Sequence, residues 1–283
     1  MFIAGGRTDI NLLLLGETGS GKSTWINGLA NCVSFQTLNE AEKAHGSFPI
    51  RATFRVINPE TYKEQLIATD KSVGQDDDAA GESVTQEPRT YSFKHGEKTI
   101  NVIDKPGLSD TTDASSETHE RDKQHVDNIL HFIGRFDKLH AMCILLKPNQ
   151  SRITKGFAYC ITEILRNLHE SASNNVIFII SNAKSTDFTP GGVLDGTLAT
   201  LRSFLHENSL DRIRLDRNTI YCIENDTMQH IAEHVNGMKL DKNAHETAEE
   251  TWKRSARTTN DMLTYIQRLE PYDIDRTLII RNT

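Results

Sequence analysis

A chain of 283 residues, 37% hydrophobic and 25% charged, has the material for a sizeable core, and at ~100 to 200 residues per domain it fits one elaborated domain. A formal charge of -7 with no basic stripe argues against nucleic acid as a partner, because phosphate backbones call for a positive surface. Four cysteines far apart with no C-x-x-C pair exclude a disulfide or zinc framework, and the lack of any long apolar run excludes a membrane-spanning helix; the chain reads as cytoplasmic.

The first element is "INLLLL" (10 to 15), an apolar run of the kind that marks a strand buried on both faces. It leads into Gly16-Glu17-Thr18-Gly19-Ser20-Gly21-Lys22-Ser23, then Thr24 and a helical spacing at Ile26, Leu29 and Ala30. This is G-x-x-x-x-G-K-[ST] between a strand and a helix, the setting a phosphate-binding loop requires. Phosphates need many short donors: glycines let backbone N–H groups approach, and the helix adds its positive end. Lys22 would bridge the β- and γ-phosphates, and the Ser23 hydroxyl would coordinate Mg²⁺. Neither Ser20 nor Ser23 has a histidine in motif spacing, which speaks against a serine-nucleophile hydrolase.

Residues 31 to 80 read as an insertion. They hold a predicted hairpin, "RATFRVI" (51 to 57) with "KEQLIAT" (63 to 69), and end in an acidic, glycine-bearing stretch, "VGQDDDAAGES". Next, "GESVTQEPRTYSF" offers Thr85 as a loop threonine whose hydroxyl reaches Mg²⁺ and whose N–H reaches the γ-phosphate; Ser83 and Thr90 compete for that role. In "TYSFKHGEKTINVID" two strand-like runs meet at His95-Gly96, so an antiparallel strand at 90 to 95 should flank the strand ending at Asp104. Asp104 and Gly107 stand at the spacing D-x-x-G: the carboxylate holds the metal shell, and the Gly107 N–H senses the γ-phosphate.

Further on, apolar stripes at Val126, Ile129, Leu130, Ile133, at Phe157, Ile161, Ile164, Leu168 and at Leu194, Leu198, Leu201, Leu205 predict three helices. They alternate with strands at "AMCILL" (141 to 146), "NVIFII" (175 to 180) and "TIYCI" (219 to 223). The order predicts an α/β fold: a doubly wound, mostly parallel sheet with helices on both faces and an antiparallel edge hairpin. Residues 1 to 240 form this domain. Residues 241 to 283 read as a C-terminal helical extension, anchored at Trp252, Met262, Leu263, Ile266 and Leu269, that packs back or meets a partner.

The set "GETGSGKSTWIN", "SVTQ", "DKPGLSDT" and "YCIEND" resembles the septin-related branch of P-loop GTPases, most of all the immunity-associated (GIMAP) GTPases and their chloroplast-import relatives, over about residues 8 to 236. The resemblance implies a Mg²⁺-dependent domain that binds GTP or GDP and pairs as a homodimer face to face across the nucleotide. Leu108 follows D-x-x-G where small monomeric GTPases carry a glutamine, so hydrolysis is expected to be slow alone, with a group supplied by a partner molecule. Arg89 and Glu87 are candidates. Catalysis would rest on Lys22, Thr85 and Gly107.

A guanine site of this kind carries N-K-x-D. Here "FIISNAKSTDF" keeps Asn182, sets Lys184 one place late and has Ser185 where the aspartate belongs, with Asp187 as a substitute if the loop is longer. "YCIEND" brings Asn225 toward the base, or leaves it as a helix cap beside Asp226. Two other readings compete: a nucleotide-gated assembly scaffold with negligible hydrolysis, and an ATPase if the altered motif does not select guanine. His230 and His234 sit at i, i+4, a zinc-compatible spacing with no third ligand visible in sequence.

Overall fold

In chain order, the computed structural model describes residues 9–58, 61–69, 88–104, 116–148, 152–191, 196–238 and 241–275. The strands are β1 (Asp9–Gly16), β2 (Thr53–Ile57), β3 (Glu64–Ala68), β4 (Arg89–His95), β5 (Lys98–Asp104), β6 (Lys138–Leu139), β7 (Ala141–Leu146), β8 (Val176–Ile180), β9 (Ile220–Cys222) and β10 (Tyr272–Asp273). The helices are α1 (Lys22–Ser34), α2 (Leu38–Lys43), α3 (Ser116–Ile133), α4 (Lys155–Asn167), α5 (Thr197–Glu207), α6 (Thr227–Val235) and α7 (Lys242–Ile266).

Six strands form the central sheet in the order β4-β5-β1-β7-β8-β9, parallel throughout except for the edge strand β4. The edge hairpin turns through Gly96 and Glu97, and Gly96 holds the left-handed φ of 62° that such a two-residue turn demands. Alternation along each strand divides the core. Leu13 and Leu15 of β1, Met142, Ile144 and Leu146 of β7 and Phe178 of β8 join α3, α4 and α5 on one face. Leu12 and Leu14, Cys143 and Leu145, Ile177 and Ile179 face α1 and α7 on the other. Each fully buried aliphatic side chain contributes about 1.5–3 kcal/mol, so a sheet covered on both faces can sustain runs such as "LLLL".

The expected strands all form, with ends shifted by a residue or two. The three helical stripes also fold as helices, although Leu194 lies outside the described residues. Helix α1 continues to Ser34, a few residues past the start expected for the insertion. Asn27 and Asn31, one turn apart on α1, clamp the insertion's backbone: Asn31 pairs with both the N–H and C=O of Ser47, and Asn27 with those of Ile50. The insertion then contributes α2, whose N terminus carries a Thr37–Glu40 capping box, and the β2–β3 hairpin.

Helix α7 is part of the core. Met262, Leu263 and Ile266 are buried with β1 and β5, and Trp252 is buried with α2 and α6. No helix among the described residues is long and apolar enough to cross a membrane.

Candidate functional site

The site lies where parallel strands end. β1 ends at Gly16, where only glycine fits: a side chain there would meet Ser20 Oγ at 2.7 Å and the Leu145 carbonyl oxygen at 3.1 Å. The loop then turns through Gly19 at φ 75° and Gly21 at φ 96°, left-handed conformations that only glycine adopts at little cost. No side chain caps α1 and its first turn carries no acidic residue, which leaves the positive helix end for an anion. Ser23 on that turn is exposed, and Thr24 is half-buried behind it.

Lys22 Nζ donates to the carbonyls of Gly16 and Glu17, each at 2.8 Å, so its ammonium is folded back over the loop. Burial pushes its pKa down to about 8, against the opposing pull of Asp104 and then Glu17. Asp104 is buried at the end of β5, in register with Leu14 of β1. The structure therefore brings Lys22, Ser23 and Asp104 to one end of the sheet. A buried carboxylate, an exposed hydroxyl and an uncapped helix end fit a magnesium-bound polyphosphate.

Several contacts that hold the loop are not motif positions. Glu17 Oε1 accepts from the N–H of Thr154, the cap of α4, at 3.0 Å. Ser181 Oγ lies 2.9 Å from the Ser20 carbonyl and 3.2 Å from that of Leu146, tying the loop to the ends of β7 and β8. Ser181 precedes Asn182, and this neighbourhood is its only signal in the sequence. Exposed Thr18 lies between these anchors.

On the base side, Asn182 takes a left-handed conformation (φ 52°) at the end of β8 and starts a short 3-10 helix over Ala183–Thr186. Glu224 organises this loop: its carboxylate accepts from the backbone N–H groups of Lys184 (3.1 Å), Asn225 (2.8 Å) and Asp226 (3.1 Å). Lys184 Nζ pairs with Asp226 at 2.8 Å. Asn225 is buried with its carboxamide oxygen against Gly28 of α1, and the N-cap of α6 is Asp226. Asp187 pairs with Arg254 of α7, whose guanidinium stacks 4.0 Å from the Phe188 ring centroid.

Thr85, Gly107, Leu108, Ser83 and Glu87 lie outside the described residues. Of the remaining candidates, Thr90 is fixed in β4 opposite Ile103, and Arg89 stands directly opposite Asp104 at the exposed edge of the sheet. His234 is exposed and separate from His230, which meets Glu42 instead.

No family model matches this chain, and no curated protein matches it. Solved structures do. Toc33 from Arabidopsis thaliana in complex with GDP and Mg²⁺ gives a TM-score of 0.47 at 14% identity, covering 95% of this chain and 89% of that one. The chloroplast translocon components atToc33 and psToc159, for whose GTPase activity dimerisation is important, give 0.48 at 14%, covering 94% and 86%. The G domain of the T. maritima FeoB iron transporter gives 0.33 at 13%, covering 81% and 98%. At such identities, ligand and activity remain statements about those proteins.

Proposed function

We propose that this chain is a Mg²⁺-dependent guanine-nucleotide switch that hydrolyses GTP to GDP and phosphate slowly by itself and faster as a homodimer. The observation that carries the reading is the meeting of Lys22, Ser23 and Asp104 around a glycine loop at the ends of β1 and β5. Magnesium, when bound, neutralises charge that builds on the β- and γ-phosphate oxygens.

The chain's own residues supply the rest. Backbone N–H groups of the loop bind the phosphates, and Lys22 swings from the Gly16 and Glu17 carbonyls to the β- and γ-oxygens, where negative charge raises its pKa again. Ser23 and Asp104 would hold the metal shell. Thr85 and Gly107 are assigned the γ-phosphate contacts that order the switch, in keeping with the resemblance to septin-related GTPases. Asn182 is assigned the base contact; the loop it begins is shaped by Glu224.

Leu108 cannot orient a water. Arg89, opposite Asp104 on the exposed edge strand, is assigned as the group offered to a second molecule. Turnover per chain should therefore rise with protein concentration until the dimer saturates, and Arg89→Ala should flatten that rise. Turnover that is fast and independent of concentration would refute the dimer reading.

A further inference from the structure

Away from the phosphate loop, three helices bring three metal-ligating side chains together. Glu42 comes from α2, His230 from α6 and His245 from α7. Glu42 Oε1 lies 3.6 Å from His230 Nε2, and Glu42 Oε2 lies 3.2 Å from His245 Nε2. The three ligand atoms all fall within 4.8 Å of one another. Glu42 and His230 are buried; His245 is about one-third exposed, at 33% of its side chain.

Two of these atoms are unsatisfied. Glu42 Oε1 and His230 Nε2 are both fully shielded and have no hydrogen-bond partner, although they face each other. A buried polar atom without a partner costs about 1–3 kcal/mol, and a charged one costs more. A separation of 3.6 Å is too long for a hydrogen bond but suits two ligands of one ion. With arms of ~2.0–2.1 Å, neighbouring ligands on a tetrahedral Zn²⁺ stand about 3.3 Å apart.

We infer that Glu42, His230 and His245 form a binding site for a divalent cation of the Zn²⁺ type, distinct from the magnesium of the nucleotide site. Two imidazoles and one carboxylate are the donors such a borderline ion takes, whereas Mg²⁺ favours oxygen alone. His230 also lines a groove of about 460 Å³ with Asp226, Gln229 and Glu233. The ion clamps the insertion helix and α7 onto α6 around the cluster of Leu38, Met228, Ile231 and Trp252. Nothing in this inference depends on which nucleotide, if any, the phosphate loop binds.

The test uses the full chain, stripped with a chelator, dialysed, and titrated with Zn²⁺ against a competing chromophoric indicator. One tight equivalent per chain is expected, and the unfolding midpoint should climb with Zn²⁺ concentration. His245→Ala removes the most exposed ligand. Without metal its midpoint should fall somewhat, because Glu42 Oε2 loses its 3.2 Å partner, but the midpoint should no longer climb with Zn²⁺, and Zn²⁺ should bind about 100-fold more weakly or worse. Failure of the wild type to bind, or equal binding by His245→Ala, overturns the site. Co²⁺ gives an independent reading on the wild type: visible bands of a tetrahedral nitrogen and oxygen site are expected, and a sulfur charge-transfer band would place the ion on thiols and refute the assignment.

Discussion

Ser181 holds Ser20: its hydroxyl lies 2.9 Å from the Ser20 carbonyl oxygen and so fixes the middle of the phosphate loop to the end of β8. Leu146 O also receives the Ser181 N–H, so it stays satisfied without the hydroxyl, whereas Ser20 O loses this donor. Ser181→Ala should cost about 1 kcal/mol of stability, measured by denaturant midpoints. Loosening the loop by the same amount should weaken nucleotide binding roughly fivefold, measured by calorimetry.

Gly28 and Asn225 form a second coupled pair. Replacing an interior helical glycine by alanine ordinarily stabilises by ~1 kcal/mol. A methyl group at Gly28 would instead collide with the Asn225 carboxamide, so Gly28→Ala should destabilise. In an Asn225→Ala background the same change should become neutral or stabilising. A double-mutant cycle measures this coupling, and additive effects would show that Asn225 does not occupy that space.

His140 gives the fold a sensitivity to acid. Its Nδ1 accepts from the Asn11 N–H at 3.1 Å, a role only the neutral ring can play. Burial, and then Lys138 and Lys98, lower its pKa below the usual imidazole range. The unfolded chain therefore takes up the proton first, at about pH 6.5, and stability falls as pH drops below that value. His140→Gln should flatten the decline between pH 7.5 and 5 in urea midpoints (roughly the imidazole window), and an unchanged slope would assign the decline to other groups.

The C-terminal helix tests where the domain ends. Leu263 is buried against the central sheet, so Leu263→Ala should cost about 2–5 kcal/mol. Removing residues from 241 onward should abolish the cooperative unfolding transition, whereas a separable extension would leave it intact.

That helix also shows where sequence reading reaches its limit. The parallel strands are legible because burial on both faces leaves continuous apolar runs, and the phosphate loop because its chemistry is local. Helix α7 reads as polar, yet Thr251, Ser255 and Thr259 point inward. Thr251 donates to the Thr247 carbonyl and Ser255 to that of Glu224, so their hydroxyls are satisfied inside the fold and the buried face carries little hydropathy signal. Glu42 and His245 stand 203 positions apart, and no spacing rule joins them. His230 and His234 share a legible spacing, but only His230 enters the cluster. The loop after β8 shows the same limit: Asn182 and Lys184 are legible as an altered N-K-x-D, while Glu224, which accepts from the Lys184 N–H forty positions away, carries no motif signal.

The central claim is that a magnesium-bound guanine nucleotide occupies the loop at Lys22, Ser23 and Asp104. Unfolding midpoints of the full chain with GTP, GDP, ATP or ADP, each with and without Mg²⁺, test it most directly, because a ligand of the native state raises the midpoint with its concentration over Kd. GTP and GDP should raise it by several degrees, more with Mg²⁺ than without, and the gain should vanish in Lys22→Ala. A midpoint raised by ATP and ADP in preference, or by no nucleotide at all, would contradict the claim.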